Sequence, residues 1–173
     1  GENVPGAIGT GVHGQVGSIS IRGKTSVKVN FAVVYPDTDE QIVVRNLWVS
    51  FLDIAGDVDD ASVKEHVFVN DVYYWKVPAK SKVKALEKKS GKIRFTSKKT
   101  KGRGVFVAPT NALDMTSSQL KNAVAVQYDN VSSFVVEFSA KGREENETRS
   151  FLFAGRCAIN FDEDGCPYQS EGQ

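Results

Sequence analysis

The sequence predicts an all-β fold, an antiparallel β-sandwich of jelly-roll type with about ten short strands and at most one short helix. Apolar side chains recur at every second position in one run after another, which is the period of a strand with a buried face. Turn-forming residues separate these runs at intervals of roughly eight to twelve residues. No stretch keeps an apolar 3.6-residue period for long, so a sizeable helix is not expected.

The pattern is organised around residues 46–54, NLWVSFLDI. Leu47, Val49 and Phe51 point one way and Trp48, Ser50 and Leu52 the other. Both faces are largely apolar, so this strand belongs in the middle of a sheet covered on both sides. Asp53, Gly56, Asp57, Asp59 and Asp60 follow as an acidic loop that cannot continue it.

In chain order, residues 1–16 are rich in glycine and read as a flexible lead-in to a sandwich spanning 17–160. Gly9, Gly11 and Gly14 have GxGxxG spacing, but without a strand before and a helix after they do not make a dinucleotide site. Ile19 and Ile21 alternate with serines, and Gly23-Lys24 turns the chain. Val27, Val29, Phe31 and Val33 then alternate with Ser26, Lys28, Asn30 and Ala32. Residues 36–40 form a turn, and 42–54 read as one long central strand. Residues 66–69 and 72–77 read as two strands joined by a tight turn at Asn70-Asp71. Val83, Ala85, Ile93 and Phe95 mark two strands around the turn at Lys89-Ser90-Gly91, and residues 105–107 another. Thr116-Ser117-Ser118-Gln119 has capping-box spacing, which places one short helix at Thr116. Residues 123–128, 133–139 and 150–160 close the strand set, the last two joined by a polar hairpin loop at 141–149. Residues 161–173 form a polar tail.

At 173 residues, 40% hydrophobic and 25% charged, the chain has the composition of one globular domain with its own core. No apolar run approaches the roughly 20 residues that cross a bilayer as a helix. The first residue is Gly1, which fits a chain trimmed of a leader. Net charge is only +1, yet its distribution is lopsided. Residues 76–103 hold twelve basic side chains and a single acid, Glu87 (net +11), while the remainder nets −10. Separation of this size steers an oppositely charged partner. Lys82, Lys84, Lys88, Lys89, Lys92, Lys98, Lys99, Lys101 and Arg103 are the candidate docking residues for an anionic partner. The alternative for these lysines is a solvated face that keeps a sheet edge from pairing with other chains. Few aromatics are interleaved among them, which argues against single-stranded nucleic acid.

Cys157 and Cys166, with eight residues between them, are spaced to close a short loop that tethers the tail. Such a bridge would stabilise by about 2–3 kcal/mol. With the sequons at Asn130 and Asn146, this points to a secreted protein or an organelle lumen. Buried free thiols in a cytosolic protein are the alternative.

A catalytic constellation is missing. Neither His13 nor His66 stands in a nucleophile or metal motif, and GxSxG, HExxH and paired CxxC clusters are absent. A carboxylate pair of the glycosidase kind is the only enzymatic option left open. Two groups of oxygen donors suit calcium: Asp53, Asp57, Asp59 and Asp60 in the acidic loop, and Asn160, Asp162, Asp164 and Glu171 around Gly165 in EF-hand-like spacing. Pro167 and the missing flanking helices depart from the EF-hand pattern, which leaves a plain polar tail as the alternative.

NLWVSFLDI, then Glu65-His66-Val67-Phe68-Val69, then Ser132-Ser133-Phe134-Val135-Val136-Glu137-Phe138, then Arg149-Ser150-Phe151-Leu152-Phe153-Ala154-Gly155 occur in that order. This series resembles a β-sandwich module of secreted or surface proteins of algae, other protists and bacteria, with the pattern NLxxxFxDxD, ExVxV, SSFxxxF, RxFxFAG. Ala55 stands where that pattern has its second acid. The resemblance implies a sandwich over about residues 17–160 and a non-catalytic role, its motifs being packing motifs. The expected function is a binding or assembly module, an accessory subunit of a larger complex docking through its basic stretch onto a protein or an acidic glycan. The alternative is a calcium-assisted carbohydrate-binding domain that uses Tyr73, Tyr74 and Trp75.

Overall fold

The computed structural model describes residues 9–35, 37–55, 64–98, 109, 111, 114–141 and 148–155. Their strands are β1 (Gly11–His13), β2 (Val16–Arg22), β3 (Ser26–Ala32), β4 (Leu47–Leu52), β5 (Lys64–Val69), β6 (Tyr74–Lys76), β7 (Val83–Glu87), β8 (Ile93–Ser97), β9 (Val124–Tyr128), β10 (Ser133–Lys141) and β11 (Thr148–Gly155). One helix, α1 (Ser117–Leu120), lies between β8 and β9. All pairings are antiparallel. Sheet A has the order β1-β2-β11-β4-β9-β6 and sheet B the order β3-β10-β5-β8-β7.

Only β1–β2 and β7–β8 are consecutive strands paired in one sheet; every other strand-to-strand connection passes from one sheet to the other. The strands β2-β11-β4-β9 opposite β3-β10-β5-β8 have the order of an eight-stranded jelly roll. β6 and β7 extend the two sheets by one strand each.

The core follows from alternation. Val49 and Phe51 of β4 face Val67, Val69, Phe95, Val136 and Phe138 of sheet B within one buried cluster. Leu52 belongs to a second cluster on the other side of sheet A with Val16, Ala123, Leu152 and Ala154, against which Met115 packs. The central strand is therefore covered on both faces, as its sequence requires. An aromatic row ties the sheets together. Tyr128 stacks on Phe134 at 4.5 Å, Phe134 on Phe31 at 5.1 Å, and Phe31 meets the edge of Phe153 at 5.0 Å. Phe153 lies directly opposite Gly17, and its ring occupies the space a β-carbon there would need, within 2.3 Å.

The local differences from the sequence reading have physical causes. β4 starts only at Leu47 because Asn46 takes a positive φ of 54°, held by Gln127 donating to its side-chain oxygen at 2.9 Å. Asp53, at φ 55°, ends the strand. Residues 70–71 do not form a hairpin: β5 is in sheet B, whereas β6 pairs with β9 in sheet A. β10 and β11 likewise belong to different sheets, so the segment between them is not a hairpin loop. β1 falls inside the glycine-rich stretch that composition reads as a lead-in. The capping box is present, with Thr116 accepting from the Gln119 amide and the Gln119 side chain accepting from the Thr116 amide. Residues 105–107 lie outside the described residues.

Gly17→Ala should therefore lower stability by about 1–3 kcal/mol through overpacking against Phe153. Chemical denaturation checks this, and the loss should shrink when Phe153→Leu is added.

Candidate anion-binding face

The outer face of sheet B is set by register. Moving across the strands, one row holds Lys28, Glu137, Phe68, Arg94 and Leu86. The next holds Ser26, Ser139, His66, Thr96 and Lys84. A third begins with the pair Lys141–Lys64 and runs on to Lys98 and Lys82, whose backbones are joined by the Lys98 amide donating to the Lys82 carbonyl. The third row is all lysine. Lys88 and Lys92 reach onto the face from the β7–β8 turn, with their ammonium groups 5.6 and 4.6 Å from the Phe68 ring centre.

One acid sits on these rows, Glu137, and it is fully engaged. It accepts from Lys92 at 2.6 Å and from Ser26 at 2.9 Å. The Lys92 hydrogen bond, then that from Ser26 and the nearby Lys28 charge, hold its carboxyl below the usual range. Glu87 has the parity of Val83 and Ala85, so it is off this face. Lys28, Lys64, Lys84 and Lys141 make no ion pair with another described residue. Neighbouring like charges about 7 Å apart repel by roughly 0.6 kcal/mol even in bulk water. Edge protection explains Lys84 on the edge strand β7 and Lys82 just before it. It does not explain Lys64 and Lys141, which sit on interior strands.

Three polar atoms within this field are buried with no hydrogen-bond partner: His66 Nδ1, Arg94 Nε and Thr96 Oγ1. His66 and Thr96 are 5% and 7% exposed. Burial, then the charges of Arg94, Lys141 and Lys64, push the His66 imidazole down to about 4, so it is neutral at pH 7.

Of the candidate docking residues, Lys82, Lys84, Lys88, Lys92 and Lys98 belong to this face or its rim. Lys98 also donates to the Ser81 carbonyl at 2.8 Å, and Lys89 is exposed in the turn. Lys99, Lys101 and Arg103 lie outside the described residues. Sequence reasoning missed Lys28, Lys64, His66, Arg94 and Lys141 as members. Their signal is strand parity, which becomes informative only once the register between distant strands is known.

A second polar cluster sits at one end of the interior. Glu65 shares the inward parity of Val67 and Val69, accepts from the Ala55 amide at 2.9 Å and pairs with Arg149 at 3.7 Å. Asp53 lies near enough for the Glu65 charge to raise its proton affinity. Burial first, then the Glu65 charge, push Asp53 up to about 8 against the pull of Arg149. Burial pushes Glu65 up to about 7 against the Ala55 hydrogen bond and Arg149. Asp53 Oδ1 is buried without a hydrogen-bond partner.

Of the calcium donors, only Asp53 falls among the described residues; Asp57, Asp59, Asp60, Asn160, Asp162, Asp164 and Glu171 lie outside them. Among the described residues no group of three or more His, Cys, Asp or Glu is placed to hold a metal ion. Cys157, Cys166 and Asn146 also lie outside, and Asn130 is exposed with φ 53°. The aromatic set divides. Trp75 turns inward, edge-on to Phe95 at 5.8 Å, while Tyr73 and Tyr74 are 73% and 50% exposed and Tyr74 packs against Trp48 at 6.1 Å.

No protein-family model matches the chain, and neither a curated protein nor a solved structure matches it. No helix among the described residues is long and apolar enough to cross a membrane.

The carboxyl pair makes stability pH-dependent in a defined direction. Its folded pKa values lie above the unfolded ones, so its contribution is complete below about pH 4 and is lost as pH rises through 7 and 8. Asp53→Asn, which mimics the protonated form, should be more stable than the parent chain at pH 9 by more than about 1 kcal/mol. The difference should be smaller at pH 5. Urea unfolding at the two pH values checks this.

Proposed function

We propose that the chain is a non-catalytic binding module that docks an anionic partner through the outer face of sheet B, as an accessory subunit of a larger assembly in a secreted or luminal setting. The observation that supports this is the row Lys141, Lys64, Lys98 and Lys82, joined by Lys28, Lys84, Lys88, Lys92 and Arg94 around an acid, Glu137, that is already paired and is the one acid on these rows among the described residues. A face on which cations outnumber acids among the described residues favours association with a polyanion and the release of its counterions. The segment 76–103 supplies over half of these cations and distant strands supply the others.

A second reading, carbohydrate binding on sheet A, has its own support in exposed Tyr73 and in Tyr74 with its ring against Trp48. The calcium assistance expected with it keeps Asp53 alone among the described donors. A neutral-glycan array that returns hits lost in Tyr74→Ala would favour this reading.

The polyanion reading predicts retention on immobilised poly-glutamate or dextran sulfate that weakens with salt. The triple variant Lys64→Gln, Lys84→Gln, Lys141→Gln should elute at less than about half the salt concentration of the parent chain. Lys24→Gln with Lys80→Gln, both in turns, should elute nearly unchanged. Equal elution of both variants, or no retention of the parent chain, would refute the reading.

A further inference from the structure

We propose that two copies of this chain join edge to edge through β3, antiparallel and centred on Val29, so that their five-stranded sheets B become one continuous sheet. This holds whatever the cationic face binds.

Sheet edges invite pairing with other chains, and three of the four edge strands described here are blunted against it. β1 and β6 are three residues long, and β7 carries Lys84, with Lys82 before it and Lys88 after it. β3 is seven residues long, with Lys28 as its one charge. The ladder decides where its backbone groups point. The Val33 amide donates to the Ser132 carbonyl, and the Ala140 amide to the Thr25 carbonyl. Bonded pairs alternate along an antiparallel ladder, so Val27, Val29 and Phe31 exchange hydrogen bonds with β10. The N–H and C=O groups of Ser26, Lys28, Asn30 and Ala32 then point away from β10, where no other described strand pairs with them.

Sheet A points to the same place. It reaches one strand further on this side, because β1 lies outside β2 and β2 stands opposite β3. Val12 pairs with Gly17 and so shares the inward parity of Gly17, Ile19 and Ile21. It is nonetheless 80% exposed, since among the described residues sheet B has no strand beneath it. On β3, Val27 has the inward parity of Val29 and Phe31, yet it is 39% exposed. A further strand beside β3 would lie under β1 and cover both valines.

A second β3 fits that position. The two-fold register centred on Val29 pairs all seven residues, with Ser26 opposite Ala32, Lys28 opposite Asn30 and Val27 opposite Phe31. Ser26, Lys28, Asn30 and Ala32 of each copy then exchange both backbone bonds with the residue they face. Centring the pair on Lys28 would set the two lysines face to face, which is unfavourable. Phe31 meets Phe153 beside Gly17, so β1 overhangs the Phe31 end of β3. Val27 of the second copy is brought to that end, beneath Val12. Opposed residues of an antiparallel pair share a side, so the two cationic faces lie on one side of the joined sheet.

Sedimentation of the full chain from micromolar to millimolar concentration should show a monomer–dimer equilibrium. Asn30→Lys, which opposes Lys28 twice across the two-fold, should weaken the dimer by at least about threefold, and Asn30→Asp should tighten it by about as much. Asn30 is exposed, and far-ultraviolet circular dichroism of both variants should match the parent chain. Amide exchange locates the contact. The Lys28 and Asn30 amides should exchange slowly at high concentration and fast on dilution, while those of Val29 and Phe31 stay slow at both. A chain that remains monomeric throughout, or a dimer indifferent to both variants, would overturn the proposal. So would concentration-dependent protection confined to β6 or β7.

Discussion

The contact on which the rest of the molecule depends is the aromatic row that passes between the sheets, from Tyr128 through Phe134 and Phe31 to Phe153 above Gly17. It joins β9 and β11 of one sheet to β10 and β3 of the other. Because a strand has a side-chain period of two, a slip of one residue at any of these positions would turn a whole strand inside out. The Phe153 ring fills the space that a β-carbon at Gly17 would take. The row therefore fixes register as well as cohesion, and register decides which side chains are left facing outward.

What it leaves outward is not random. Almost every connection crosses between sheets, so residues adjacent on one face come from distant parts of the chain. Lys28 arrives on β3, Lys64 on β5, Lys84 on β7, Arg94 on β8 and Lys141 on β10. The charge asymmetry visible along the sequence reappears in space, but with a different membership. Glu87, the one acid within the basic segment, turns away, while Glu137 comes onto the face from β10 and is neutralised by Lys92 and Ser26.

The fold class was readable from the sequence because it depends on local facts: the period-two runs, the turn residues, the two-faced apolarity of NLWVSFLDI, and the capping box at Thr116. Partner choice was not readable, because it depends on which runs meet. Asn70-Asp71 has the composition of a hairpin turn, yet β6 pairs with β9 and not with β5. Asn46 looked like an ordinary strand residue, and its left-handed conformation is held by groups far along the chain: Gln127, 81 positions away, donates to its side chain, and its amide donates to Asp129. The same limit hid four of the nine cations of the face, Lys28, Lys64, Arg94 and Lys141. Lys64 and Lys141 sit at the ends of their strands and look like solvated termini until the register sets them side by side. Glu65 falls just before the strand read at 66–69 and Arg149 within the polar link read at 141–149, and only the closed sandwich turns them toward one another.

The two polar clusters then differ in a way that bears on function. The interior one supplies its own compensation: Arg149 stands against Glu65, the Ala55 amide donates to it, and the remaining excess of negative charge is relieved by protonation. That is how a protein treats charges it must bury for structural reasons. The outer cluster has no such arrangement among the described residues. Its cations repel one another, burial and then their charges hold its histidine neutral, and three of its buried polar atoms have no partner, against one, Asp53 Oδ1, in the interior cluster. Internal balance at one site and its absence among the described residues at the other argue that the first serves the fold, and they are the ground on which the docking proposal for the second rests.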